Sequence, residues 1–218
     1  KQPSPNLSVA WGVLKEREAE TAKQNPDAHM KALDDARRSY QDACVGDPNH
    51  IEAWRGLARV YVQMGDYDRA NDTFRKATAK HPKNLPLWQD WGNTYNRRKD
   101  FPEAVKCFQR ALEIDPENRD VQRTLGYTLA RAGQIEQGMA HLTRALGASS
   151  AHYNVARMCM HLNQRDQALV HLRLSVRENP NYEDARTLLA QLESGNGDGA
   201  ATPSGIVNVG FQTPVAGQ

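Results

Sequence analysis

Cysteine is scarce in this chain of 218 residues. Cys44, Cys107 and Cys159 are odd in number and have no Cys-x-x-Cys spacing, so neither a disulfide framework nor a zinc or redox motif is present. Aromatic side chains make up 7%, the hydrophobic share is 39%, and the mean hydropathy is -0.75. Such a polar chain suits an elongated protein with much surface per residue better than one large core. No apolar run approaches the ~18 residues of a membrane span. No sign of charge dominates either. The 28 Lys and Arg stand against 26 Asp and Glu, a net +2, so net charge marks neither a nucleic-acid binder nor a self-repelling acidic chain.

Catalytic signatures are also missing. There is no Gly-x-Ser-x-Gly, no His-Glu-x-x-His, no phosphate-cradling glycine loop and no dinucleotide fingerprint. The seven histidines offer no compact ligand set: His152 and His161 lie nine apart, and His141 and His171 occupy equivalent places one repeat apart. The expectation is a protein that is not an enzyme, with no catalytic residue, no metal and no cofactor. The first residue is Lys1, not Met, so a soluble protein of the cytoplasm, or one exported to the periplasm after losing a signal, are both open.

What the chain has is self-similarity. Ile51 to Asn84 holds Trp54, Leu57, Ala58, Tyr61, Gly65, Ala70, Phe74, Ala77 and Pro82. A step of 34 residues returns Trp88, Trp91, Gly92, Tyr95, Ala104, Phe108, Ala111 and Pro116. Another returns Leu125, Gly126, Leu129, Gly133, Gly138, Leu142 and Ala145. The next step shortens to 30 and gives Val155, Ala156, Cys159, Ala168, Leu172 and Pro180. Backwards, the same spacing gives Ala36, Tyr40, Ala43 and Pro48. Within each unit apolar residues recur at three and four, which predicts two amphipathic helices, A and B. Small residues at Ala58, Gly92, Gly126 and Ala156, and at Ala70, Ala104, Gly138 and Ala168, let A and B approach closely. Pro82, Pro116 and Pro180 close the B helices.

This order of Trp or Leu, Gly or Ala, Tyr, Ala, Phe, Ala and Pro over 34 residues resembles the tetratricopeptide repeat family across about Ile51 to Asn181. The resemblance implies an all-α, right-handed superhelix, an α-solenoid of about five helix-turn-helix repeats plus a C-terminal capping helix. The expected repeat domain is 1–193, with repeats at about 7–50, 51–84, 85–118, 119–148 and 149–182 and a cap at 183–193. In the first repeat Trp11 and Leu14 lie too far upstream, so its first helix is lengthened or an insertion follows it. Four residues are missing between Leu146 and His152, and Gly147 to Ser150 is expected to form a tighter turn. The alternatives there are a changed superhelical pitch and a tolerated loop deletion. From Ser194 to Gln218 the composition is that of a flexible tail, interrupted by the apolar patch from Ile206 to Phe211.

In that family the A helices line a concave face on which ligand peptides lie. Reading every fourth residue of each A helix selects Arg55, Arg59 and Gln63, then Gln89, Asn93 and Arg97, then Arg123, Tyr127 and Arg131, and finally Tyr153, Arg157 and His161. Six of these twelve are arginine and none is acidic. Arginine forks suit carboxylates. Asn93, Asn96 and Asn154 suit a peptide's amides. Glu52, Asp90 and Asp120 stand at neighbouring helical positions, so internal pairing is the alternative fate of these arginines. The family's carboxylate clamp for chaperone C-termini is disfavoured: its places hold Arg55 and Arg59, then Asp90, then Asp120 and Thr124. The resulting expectation is a scaffold that binds a protein or peptide partner, acidic in character, in the concave groove. Specific nucleic-acid binding is not expected, because only Tyr127 and Tyr153 offer stacking there. Two alternatives stay open: an assembly factor of a bacterial envelope, pilus or secretion system, to whose repeat proteins the pattern is similar, and a scaffold that self-associates weakly through its tail.

Overall fold

The structure, a computed structural model, describes residues 3–194, and the expected tail, with its Ile206 to Phe211 patch, falls outside them. Among the described residues there are eleven α-helices and no strand. They divide into two compact units, one up to Ala145 and one from Leu146.

The first unit holds four antiparallel hairpins, in which an α-solenoid is built by stacking. They are α1 (Pro5–Thr21) with α2 (Pro26–Gly46), α3 (Ile51–Gln63) with α4 (Tyr67–Lys80), α5 (Leu85–Arg97) with α6 (Phe101–Ile114), and α7 (Arg119–Arg131) with α8 (Ile135–Leu146). The helices begin where the sequence supplies a cap. The side chains of Asn84 and Asn118 accept from the amides of Leu87 and Val121, each at 3.1 Å. They end just before proline: α4 and α6 stop two residues short of Pro82 and Pro116. One bond recurs at the entries of the second, third and fourth hairpins. Trp54, Trp88 and Gln122 donate to the carbonyls of Pro48, Pro82 and Pro116, six residues upstream, at 2.9, 2.9 and 2.8 Å.

The turn from A to B needs a left-handed residue. Gly65 and Gly133 supply it with φ of 76° and 84°, while Lys99 and Asn163 take the equivalent places at 61° and 57°. Close approach is the other glycine task. A Cβ on Gly92 would stand 2.8 Å from the ring of Phe108, and one on Gly138 would stand 2.6 Å from the carbonyl oxygen of Gly126. Phe74, Phe108 and Leu142 are buried in successive hairpins, with Ala70, Ala104, Ala77 and Ala111 beside them. The two phenylalanines and Leu142 each contribute about 1.5–3 kcal/mol by leaving water.

The first hairpin is longer than the rest. Gly12 meets Tyr40 as Gly92 meets Phe108, but Gly12 and Tyr40 are 28 positions apart and Gly92 and Phe108 are 16. The extra residues lengthen both α1 and α2 at the end where they join. Trp11–Gly12 therefore occupies the place of Trp91–Gly92, yet the helix is turned inside out. Ser8, Gly12 and Ala19 are buried, while Leu7, Trp11, Val13 and Leu14 are exposed.

The second unit contains α9 (Ala148–His161) and α10 (Arg165–Glu178) as a hairpin, with α11 (Glu183–Glu193) against α10. Val155, Ala156, Cys159, Ala168, Leu172, Ala185 and Leu188 are buried in it. The sequence suggested a turn over Gly147 to Ser150. The connection is shorter still: Gly147 alone, with φ of 83°, separates α8 from α9, and Ala148 to Ser150 are already helical.

Candidate functional site

In the first unit, α3, α5 and α7 present nine of the residues singled out by helical spacing. Several of them are already engaged. Arg55 on α3 donates through Nε to Asp90 Oδ2 on α5 at 2.7 Å and reaches Glu52 at 3.3 Å. Burial is the largest influence and works against this charge, but the hydrogen bonds and charges of Asp90 and Glu52 together outweigh it and raise the affinity of the guanidinium for its proton. Arg59 is held more firmly. Its Nε and Nη2 donate to Glu16 Oε1 and Oε2 at 2.8 and 2.6 Å. Gln63 donates to Glu16 Oε1 at 3.2 Å, and the hydroxyl of the fully buried Tyr40 donates to Oε2 at 2.6 Å. Burial and then the charge of Glu16 push the Tyr40 phenol well above its ordinary range, so it stays a donor at any physiological pH.

Glu16 is the residue that spacing alone missed. It comes from α1, whose lengthened C-terminal half carries it over the face of α3. On α7, Arg123 pairs with Asp120 of its own helix at 2.8 Å, and both side chains are largely exposed. Arg131 lies over the ring of Phe101 at 5.1 Å. The basic count read from the sequence is therefore larger than the free charge. Four carboxylates, of Glu16, Glu52, Asp90 and Asp120, neutralise three of the arginines.

Helix α5 is different. Arg97 is exposed and has no carboxylate partner among the described residues. One turn earlier, the Oδ1 of Asn93 is buried and accepts no hydrogen bond. Asn96 donates to Thr128 Oγ1 on α7 at 2.8 Å, and its Oδ1 is likewise unpartnered. Gln89 is half-buried and precedes Asn93 by four residues, on the same side of the helix. Tyr127 is half-buried on α7.

The second unit carries the remaining candidates on α9. Tyr153 packs against Tyr182 with ring centroids 5.1 Å apart, and Arg157 lies over the Tyr153 ring at 5.7 Å. Asn154 turns back to donate to the carbonyl of Ser150 at 2.8 Å. On the same helix His152 meets His171 of α10, Nδ1 to Nδ1, at 3.0 Å. The ring centroids are 5.3 Å apart, so the two nitrogens face each other almost head-on and share one proton. A metal ion would need about 2.0–2.1 Å to each nitrogen and does not fit between them. Among the described residues no group of three or more His, Cys, Asp or Glu gathers. The three cysteines are buried and free, and burial pushes the thiols of Cys44 and Cys107 up to about 12, which makes them unreactive.

Comparison with known proteins settles the family. Sequence profiles described as tetratricopeptide repeat match residues 21–90 and 86–118. The chain is a tetratricopeptide repeat protein. Solved structures of similar fold include MamA at 15% identity, covering 76% of this chain and 96% of that one with a TM-score of 0.54. YrrB, a tetratricopeptide repeat protein, is 22% identical over 78% of this chain and 87% of its own, with a TM-score of 0.52. PilF of Pseudomonas aeruginosa is 17% identical over 88% and 86%, with a TM-score of 0.54. These identities establish a shared fold and nothing finer. No curated protein matches the chain significantly. The fold of this tetratricopeptide repeat protein is that of a protein–protein interaction scaffold. No described helix is long and apolar enough to cross a membrane.

Proposed function

We propose that this tetratricopeptide repeat protein binds an extended, acidic peptide segment on the first unit, with Gln89, Asn93 and Arg97 of α5 as the centre of the site. One observation carries the reading: on α5 a buried amide oxygen without a donor stands one turn from a cation without a carboxylate. A buried acceptor left unpaired costs about 1–3 kcal/mol, and the half-buried Asn93 recovers it when its amide turns outward to a ligand's backbone N–H. Asn93 accepts that N–H, and Arg97 offers its planar fork to an acidic side chain one turn along. Arg131 adds a second cation, while Arg55, Arg59 and Arg123 serve mainly the scaffold. YrrB, of the same fold, is described as having an unusual peptide-binding site, which is consistent with peptide recognition by such a scaffold. The second unit's Tyr153, Asn154 and Arg157 are a further contact set that the same class of ligand suits.

The test is an array of 12-residue peptides of graded acidity, followed by fluorescence anisotropy on those retained. Acidic peptides should bind at about micromolar strength. The Asn93→Ala/Arg97→Glu variant should lose at least about tenfold in affinity with unchanged helicity. Equal binding by the variant, or no retained peptide at all, would sink the reading. Arg59→Glu is not a clean probe, because it sets a second carboxylate against Glu16.

A further inference from the structure

Helix α1 keeps its small residues inside and its large apolar ones outside. Leu7 and Trp11 are each 49% exposed, Leu14 44% and Val13 37%. Leu7, Trp11 and Leu14 are spaced four and three apart, so they form one stripe along the helix, with the exposed Ala10 beside Trp11. This stripe is where later hairpins are covered. Trp91, the counterpart of Trp11, stacks on Phe74 of the preceding hairpin with centroids 6.0 Å apart. Nothing among the described residues does the same for Trp11.

The face is also free of charge. No ionisable side chain occurs from Pro3 to Leu14, in a chain that is 25% charged, and the one that follows, Lys15, is paired with Glu18 at 2.7 Å. Two copies can meet there without like-charge repulsion. The stripe is self-complementary when two α1 helices run antiparallel. Leu7 then faces Leu14 of the second copy, and Trp11 faces the small Ala10. The twofold repeats both contacts.

We infer that α1 is a homodimer contact, occupied by α1 of a second copy in this antiparallel register. The exposed part of the stripe is a few hundred Å² per copy. That is below the ~1,200 Å² total typical of stable complexes, so the dimer is weak and reversible, with a dissociation constant on the order of 100 µM.

Sedimentation equilibrium of the full chain from about 5 to 500 µM tests this, the range being set by that estimate. The weight-average mass should rise reversibly from 24.4 kDa toward twice that value. The Leu7→Glu/Leu14→Glu variant should remain monomeric with an unchanged circular dichroism spectrum. Should that variant lose helix, Ala10→Lys, which leaves the leucines in place, repeats the test. A wild type that stays monomeric at every concentration overturns the inference. Association that both variants retain places the contact elsewhere and overturns it as well. Growth past the dimer, the mark of an open head-to-tail contact, excludes the twofold pairing.

Discussion

Single residues in this protein act through distances of closest approach. Gly138 is the tightest case against backbone, since a Cβ there would meet two backbone atoms of α7, 2.6 Å from the Gly126 oxygen and 3.0 Å from the Ala130 nitrogen. Backbone cannot swing aside as a flexible side chain can. Gly138→Ala should therefore destabilise the protein by about 1–3 kcal/mol in urea titration, and a variant as stable as the parent would refute the packing. Gly92→Leu meets the buried Phe108 ring instead and should be at least as harmful. These small positions were legible in the sequence because every repeat places Gly or Ala there. Glu16 was not. It stands in the one hairpin whose length breaks the period, so no repeat neighbour announces its place over Arg59.

At the scale of elements, the turn between the A and B helices repeats with one conformation and several residue types. Lys99 holds φ of 61° where Gly65 and Gly133 hold 76° and 84°. A side chain in the left-handed region costs roughly 1–2 kcal/mol, partly offset by the backbone entropy that glycine loses on folding. Lys99→Gly should then raise stability by about 0.5–1 kcal/mol, visible as a higher urea midpoint at unchanged slope. A lower midpoint would show that Lys99 makes a compensating contact. The helices themselves follow from period, caps and prolines, all of which the sequence carries. Charge on the A helices is another matter: helical spacing picks out Arg55, Arg59 and Arg123, but the carboxylates that occupy two of them arrive from other helices. Only Asp90 among those cross-helix partners was within reach of a repeat argument.

For the whole molecule, pH acts through half-buried histidines. Burial lowers the pKa of His141, His152 and His171 below the ordinary 6.5, and for His171 the neighbouring His152 lowers it further. The groups around His152 and His171 are each other, with Glu178 favouring and Arg177 opposing the charge on His152. Lowered folded-state values mean that the unfolded chain binds more protons below pH 6.5. Stability is thus fully present above the unfolded value and is lost as pH falls through the folded ones. The melting temperature should decline from pH 7 to pH 5, and His171→Asn should flatten that decline. An unchanged slope in the variant would remove the pair from the account. The overall architecture was readable from the 34-residue period, whereas the His152–His171 contact was not, since it joins two helices at a separation no ligand motif uses.

Tyr40 lies in a slot between two backbones. A Cβ on Gly12 would fall 2.7 Å from its ring, and one on Gly56 would fall 2.4 Å away on the next hairpin. The ring cannot turn over about its axis until α1 and α3 part. Its two edges should therefore give separate proton resonances, where a freely flipping tyrosine gives one averaged pair. The temperature at which they merge is then a clock, keeping time for how often the first two hairpins breathe.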